Sequence, residues 1–216
     1  MKIAVLGGSF NPIHIGHLIL ADCVCKELGY DKILFIPTFI APHKHMSNEA
    51  PAKDRLAMVK KAIAGDRRFA LESYEIDKGG VSYTWDTVCY LEEKYRGKLE
   101  GKIGLIIGFD LAPHFDRWEK AEQLARKCDI ILANRPQEKV CRDYSNQAKS
   151  GYDTQIEDFC EKDFKFPHKN LDNPAVQLSS TDIRERISTG KAFIYLVSKK
   201  VFNYIKKRNL YGFKSE

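Results

Sequence analysis

The chain opens with Lys2-Ile3-Ala4-Val5-Leu6-Gly7-Gly8-Ser9-Phe10-Asn11-Pro12-Ile13-His14-Ile15-Gly16-His17. Residues 2–6 form a short apolar run with β-branched Ile3 and Val5, the pattern of a buried strand, and Gly7-Gly8 closes it as a turn. Beyond the turn, Leu18, Ala21, Cys25 and Leu28 recur at offsets 0, 3, 7 and 10, the spacing of one helix face. Gly29 stops that helix, and residues 32–36 read as a second buried strand closed by Pro37. Strand, glycine turn, helix and strand make a βαβ unit.

The alternation continues downstream. Residues 38–51 read as a loop and 55–63 as a helix carrying Arg55, Leu56, Met58, Val59, Ala62 and Ile63. A third strand region is expected over 68–76, a helix over 83–95, a strong buried strand over 103–107, a helix over 118–127 and another buried strand over 129–133. Such a series predicts an α/β fold, a Rossmann-like doubly wound parallel sheet with helices on both faces. Residues 135–177 turn polar and yield only a short strand near 175–178. Two helices, 181–188 and 198–208, the second with Val201, Tyr204 and Ile205 on one face, form a C-terminal helical segment from about residue 179. At roughly 150 residues per domain, a chain of 216 residues is expected to form a single domain, 1–216.

A hydrophobic content of 44% with 30% charged residues excludes intrinsic disorder. No apolar run approaches the roughly 18 residues that cross a bilayer, and the first ten residues do not read as a signal peptide, so a cytoplasmic protein without membrane partners is expected. The net charge of +6 favours phosphorylated ligands but is too diffuse to indicate nucleic-acid binding. Six cysteines without a C-x-x-C pair read as free thiols, with no protein metal site expected. The sequence leaves the oligomeric state open, a homo-oligomer included.

In an open parallel sheet the first strand-to-helix turn is the usual phosphate site. Here it has neither the G-x-G-x-x-G nor the G-x-x-x-x-G-K-[ST] spacing. It offers two small residues that admit an anion to backbone N–H groups, then His14 and His17, three apart at a helix start where dipole and unpaired donors are positive. Such histidines can also serve only as helix caps. Ser179-Ser180-Thr181-Asp182-Ile183-Arg184 repeats the logic, with hydroxyls at a helix start and a guanidinium one turn later, though an ordinary cap with a solvated Arg fits as well. Asp110 follows a buried strand, where it can meet ribose hydroxyls, help place a metal or cap a helix.

The stretch GGSFNPIHIGHL, with its HIGH tetrapeptide at His14-Ile15-Gly16-His17, resembles the signature of the nucleotidyltransferase superfamily in the form found in bacterial nicotinate mononucleotide adenylyltransferases. Ser179 to Arg184 is similar to the family's S-S-T-x-I-R motif and Gly108-Phe109-Asp110 to its G-A-D or G-P-D, with Phe109 a departure. Ser82 to Thr87 is similar to S-Y-T-x-D-T, Pro42-His43-Lys44 to the P-H-K of a mobile loop, and Arg135-Pro136 also matches. Trp118 stands ten positions after Gly108, where the family places an aromatic that stacks on the pyridine ring, while Trp85 reads as core.

The resemblance implies transfer of AMP from ATP to nicotinate mononucleotide, giving a dinucleotide for NAD synthesis and pyrophosphate, with Mg²⁺ accompanying ATP. It implies catalytic roles for His14, His17, Lys44 and Arg184. ATP would meet Gly7, Gly8, Ser9, Phe10, His14, His17, Gly108, Asp110, Arg135, Ser180, Thr181 and Arg184. The mononucleotide would meet Gly8, Ser9, Phe10, Lys44, Thr84 and Trp118. Phosphopantetheine adenylyltransferases and cytidylyltransferases share the first motif but lack the Ser82 to Thr87 and Gly108 to Trp118 features. A noncatalytic RNA-binding module, resting on the basic excess and the HIGH letters, is the reading from another class. Preference between nicotinate and nicotinamide mononucleotide leaves no side-chain trace.

Overall fold

The computed structural model describes residues 1–42, 50–133 and 160–214. Along the chain run β1 (Ile3–Gly8), α1 (Ile15–Glu27), β2 (Lys32–Pro37), α2 (Ala52–Ile63), β3 (Phe69–Leu71), α3 (Tyr74–Lys78) and α4 (Thr84–Lys94). There follow β4 (Gly104–Gly108), a 3-10 turn (Ala112–Arg117), α5 (Ala121–Lys127), β5 (Asp129–Ala133), β6 (His168–Leu171), α6 (Ser180–Ser188) and α7 (Lys199–Arg208). All strand pairs are parallel, and the sheet runs β3-β2-β1-β4-β5-β6. The chain winds outward from β1 to β3, then resumes on the other side of β1. That reversal leaves a crevice beyond the carboxyl ends of β1 and β4, where ligands bind in such sheets.

Strand alternation sorts the core. Ala4, Leu6, Ile33 and Phe35 face one cluster with α1, α2, α6 and α7. Ile3, Val5, Leu34 and Ile36 face the other, with α4 and α5. Both faces of the central strands are therefore covered, which explains their nearly continuous apolar sequence. Gly29 ends the first βα unit at φ 69° as expected. Val201 and Ile205 of α7 are fully buried, with Tyr204 half-buried beside them. No helix among the described residues is long and apolar enough to cross a membrane.

Three elements differ from the sequence reading. The strand expected over 68–76 is only Phe69–Leu71; the chain then turns into α3, which sends Glu75 inward and ends at Gly79 and Gly80, both at positive φ. The helix expected over 118–127 starts at Ala121, because Trp118 is extended and Lys120 is left-handed at φ 54°. No strand forms over 175–178: the sixth strand is His168–Leu171, an edge strand whose polar residues hide it from a hydrophobicity pattern. Trp85 is half-buried and packs against the second core cluster, with Lys120 Nζ 4.8 Å and Lys127 Nζ 5.7 Å from its ring centroid.

Candidate active site

β1 delivers Gly7 and Gly8 to the crevice in register with Ile36 and Pro37 of β2. A Cβ added to Gly7 would meet nothing within 4 Å, so glycine there preserves open room rather than relieving a clash. The chain then doubles back through Phe10 at φ 47°, whose ring is buried against Phe35 and His17, 5.0 Å from the latter.

His14 is the N-cap of α1, and its backbone N–H donates to His17 Nδ1 at 3.2 Å. With Nδ1 an acceptor, the neutral ring carries its proton on Nε2. The two imidazoles stack with centroids 3.7 Å apart and planes at 33°. Gly16 makes this possible: a Cβ there would stand 3.1 Å from His14 Nδ1 and 3.2 Å from its Cε1. The glycine of the HIGH tetrapeptide thus gives its first histidine room to pack closely. The Ile15 N–H donates to Leu196 O at 3.0 Å, tying the helix start to the segment before α7.

The C-terminal motif reaches the same turn. Ser179 caps α6, accepting from the Asp182 N–H at 3.1 Å, while the Asp182 carboxylate accepts from the Ser179 N–H at 3.1 Å. Ser180 Oγ donates to Pro12 O at 2.8 Å. Arg184 donates through Nη1 to Asn11 O at 2.9 Å and through Nη2 to Thr181 Oγ1 at 3.1 Å. Arg184 is therefore a half-buried guanidinium anchored on the first motif. Gly7 to Phe10, His14, His17, Ser180, Thr181 and Arg184 are brought together around Asn11-Pro12.

Gly108 ends β4, the neighbour of β1, and Asp110 lies just past it. Asp110 is exposed and does not cap the 3-10 turn, whose N-cap is Leu111. Its carboxylate folds back over Gly108, so that a Cβ on Gly108 would stand 2.5 Å from Oδ1. Thr84 begins α4 after Tyr83, which supplies no side-chain cap. That helix start is joined to the end of β2 by an Ile40–Val81 bridge, by the Ser82 N–H to Ile40 O at 2.9 Å and by the Phe39 N–H to Ser82 Oγ at 3.0 Å. Trp118 is half-buried beside Phe115, centroids 5.2 Å apart, and packs against the second core cluster, with no ring contact to the histidine pair. Lys44, with His43, and Arg135 lie outside the described residues.

Three buried polar side chains under these loops were not singled out by sequence. Asn11 Oδ1 accepts from the Ala50 N–H at 3.1 Å and from the Tyr211 hydroxyl at 2.9 Å. Arg55, 2% exposed, bonds carbonyls of the β1 and β2 loops. Glu75 Oε1 accepts from Thr87 Oγ1 at 2.7 Å; burial pushes its carboxyl above the usual range, while the hydroxyls of Thr87, Ser82 and Thr38 pull it back. The available signal was a charge on the inward face of an amphipathic helix, as with Arg55 between Met58 and Val59. Thiols offer no alternative nucleophile at the positions where burial acts: Cys23 is pushed up to about 11 and Cys128 to about 12.

A family model described as cytidylyltransferase-like matches residues 5–186. A protein of Treponema pallidum (strain Nichols) named "Probable nicotinate-nucleotide adenylyltransferase" is 39% identical over 211 residues, covering 98% of this chain and 99% of its own. A protein of the same name from Borrelia hermsii (strain HS1 / DAH) is 36% identical over 211 residues, covering 98% of each. Plasmodium falciparum nicotinic acid mononucleotide adenylyltransferase complexed with NaAD shares the fold, with a TM-score of 0.73 at 19% identity over 100% of this chain and 99% of that one. With a family model spanning most of its length and relatives aligned almost end to end, the chain belongs to the cytidylyltransferase-like family, among its nicotinate-nucleotide adenylyltransferases.

Proposed function

We propose that the chain transfers AMP from ATP to nicotinate mononucleotide, forming nicotinate adenine dinucleotide and releasing pyrophosphate. The observation that carries this reading is the junction at Asn11-Pro12, where Arg184 and Ser180 bond the turn just ahead of the His14–His17 pair although the motifs lie at opposite ends of the chain. A helix start, two imidazoles and a guanidinium around one crevice form a receptor for a polyphosphate.

The acceptor's phosphate has a second pKa of about 6, so near neutral pH it is already an anionic nucleophile and needs no general base. Its oxygen forms a bond to the α-phosphorus of ATP as the bond to the β-phosphate oxygen breaks and pyrophosphate leaves. The protein's work is positioning and neutralising charge on the reacting oxygens. His17, with its proton on Nε2, and His14 donate to the triphosphate; Arg184, Ser180 and Thr181 hold it from the α6 side, with Arg135 as a further phosphate contact. Gly108 and Asp110 line the nucleotide side. The Gly8 to Phe10 backbone and Lys44 hold the acceptor's phosphate, Thr84 at the start of α4 receives the carboxylate, and Trp118 stacks on the pyridine.

Mg²⁺ would accompany the triphosphate, and Asp110, just past the end of β4, is the carboxylate that would help hold it. When bound it supplies neutralisation of the triphosphate charge. We place the protein in the cytoplasm, where unpaired thiols persist; the described cysteines are all free.

Pyrophosphate release tests the reading, with ATP or CTP as donor and nicotinate mononucleotide, nicotinamide mononucleotide, phosphopantetheine or no acceptor. Release with ATP and a pyridine mononucleotide is expected, faster with the nicotinate form. Release only with phosphopantetheine, or only with CTP, contradicts it. Steeply salt-dependent RNA binding without turnover would favour the RNA-binding reading instead.

A further inference from the structure

We infer that Arg55 is a positioning residue for this transfer, acting through the Ser9–Phe10 peptide; the inference rests on the functional reading above. The side chain is 2% exposed on the inward face of α2, where its neighbours Met58 and Val59 are fully buried. A buried cation is costly unless strong hydrogen bonds repay its lost hydration, so packing alone would be better served by an apolar residue. Arg55 Nη1 donates to Ser9 O at 2.8 Å and Thr38 O at 2.7 Å, and Nη2 donates to Phe39 O at 3.2 Å. All three acceptors lie just past the carboxyl ends of β1 and β2, on the two loops that flank the crevice.

The bond to Ser9 has an electronic consequence as well as a geometric one. A peptide is a conjugated unit, so a cation on its carbonyl oxygen draws charge from its N–H, and hydrogen bonds in sequence strengthen one another. The peptide that begins at Ser9 C=O ends at the Phe10 N–H, one of the donors assigned to the acceptor's phosphate. Arg55 therefore aims that N–H and makes it a stronger donor without touching the ligand.

The same guanidinium ties this peptide to the pyridine end of the pocket. The Thr38 N–H donates to Gly8 O at 2.9 Å, the Phe39 N–H to Ser82 Oγ at 3.0 Å and the Ser82 N–H to Ile40 O at 2.9 Å. Bonds run from Ser9 through Arg55 to Phe39 and Ser82, two positions before Thr84. Arg55 sets the distance between phosphate donors and carboxylate receptor, a separation that only the mononucleotide spans. A lysine at this position keeps the charge but cannot fork between loops, and glutamine loses both properties.

The full-length wild type is compared with Arg55→Lys, Arg55→Gln and Tyr204→Phe. The last removes the 2.7 Å bond to Asp54, next to Arg55 in α2, and so weakens the same helix without touching the loops. Unfolding midpoints are measured, with KM and kcat expressed per folded molecule. KM for nicotinate mononucleotide is expected to rise by about tenfold or more in Arg55→Lys and further in Arg55→Gln, with a smaller change for ATP. Tyr204→Phe should lower the midpoint and leave both KM values unchanged. A folded Arg55 variant with its mononucleotide KM within about twofold of wild type overturns the inference, as does Tyr204→Phe raising KM equally. If neither Arg55 variant folds, Ser82→Ala, which cuts the Phe39 bond in the same chain, must raise the mononucleotide KM; an unchanged value overturns the inference. If the wild type makes no dinucleotide, the functional reading has failed separately. Inorganic phosphate titrated against the Phe10 amide resonance then decides: binding weakened about tenfold in Arg55→Lys supports the role, and equal affinity overturns it.

Discussion

Arg184 Nη1 donates to the main-chain oxygen of Asn11 at 2.9 Å, across 173 positions of sequence. Together with the Ser180 hydroxyl on Pro12 O, this fixes the start of α6 against the turn that precedes His14. The protein's own hydrogen bonds hold the two anion-receptive segments together, so their mutual placement does not have to be organised at the expense of substrate binding.

Replacing Arg184 by lysine keeps a cation but cannot satisfy Asn11 O and Thr181 Oγ1 while reaching a phosphate. A hydrogen bond to a charged group contributes about 1.5–3 kcal/mol, so kcat/KM for ATP should fall by about tenfold to a hundredfold. Steady-state kinetics with ATP varied at saturating acceptor measure this. An unchanged kcat/KM would remove Arg184 from the site.

Gly16→Ala places a Cβ 3.1 Å from His14 Nδ1. The His14 ring must shift by a few tenths of an ångström, which disturbs its contact with His17, 3.7 Å away between ring centroids. Rates depend steeply on the placement of catalytic groups, so a drop in kcat is expected with the circular dichroism spectrum retained. Wild-type turnover from this variant would mean that the paired geometry is immaterial to the chemistry.

Gly104→Ala acts on folding instead. Its Cβ would lie 2.7 Å from the Tyr30 ring, which is 5% exposed and cannot swing clear. Overpacking of this kind costs about 1–3 kcal/mol, to be read as a lowered urea midpoint, with activity per folded molecule unchanged. A midpoint equal to wild type would show that the strand and Tyr30 can separate freely.

Glu75 gives stability a pH dependence. Burial, opposed by the Thr87, Ser82 and Thr38 hydroxyls, raises its carboxyl pKa in the folded chain above the ordinary 4.5. The folded state thus holds the proton more tightly than the unfolded state. The stability this group contributes is complete below 4.5 and declines as pH rises through the folded-state value. Glu75→Gln cannot ionise, so its stability relative to wild type should improve as pH rises from 4.5 upward. Urea unfolding across that range checks the sign; a constant difference between the two proteins would contradict it.

Much of the fold was legible because buried parallel strands announce themselves. Residues 103–107 and 130–133 are apolar on both faces and lie where β4 and β5 run, whereas β6, with His168-Lys169-Asn170 at an edge, gives no such signal. Residues 74–78 turn into a helix of five residues closed by Gly79-Gly80, too short to set a helical period against the apolar Phe69 to Leu71 ahead of it. The Arg184 contact was legible only as two motifs suited to one ligand. That they would bond each other directly is a tertiary fact that spacing along the chain does not encode. Arg55 escaped because its position in the helical pattern reads as one more core residue.

Transfer of the α-phosphoryl group is tested most directly by incubating the chain with Mg²⁺, ATP labelled at the α-phosphorus and nicotinate mononucleotide, then resolving the products. The label should leave ATP and appear in nicotinate adenine dinucleotide, in step with unlabelled pyrophosphate. Label released as free AMP, or remaining in ATP while the acceptor is saturating, would contradict direct adenylyl transfer by this site.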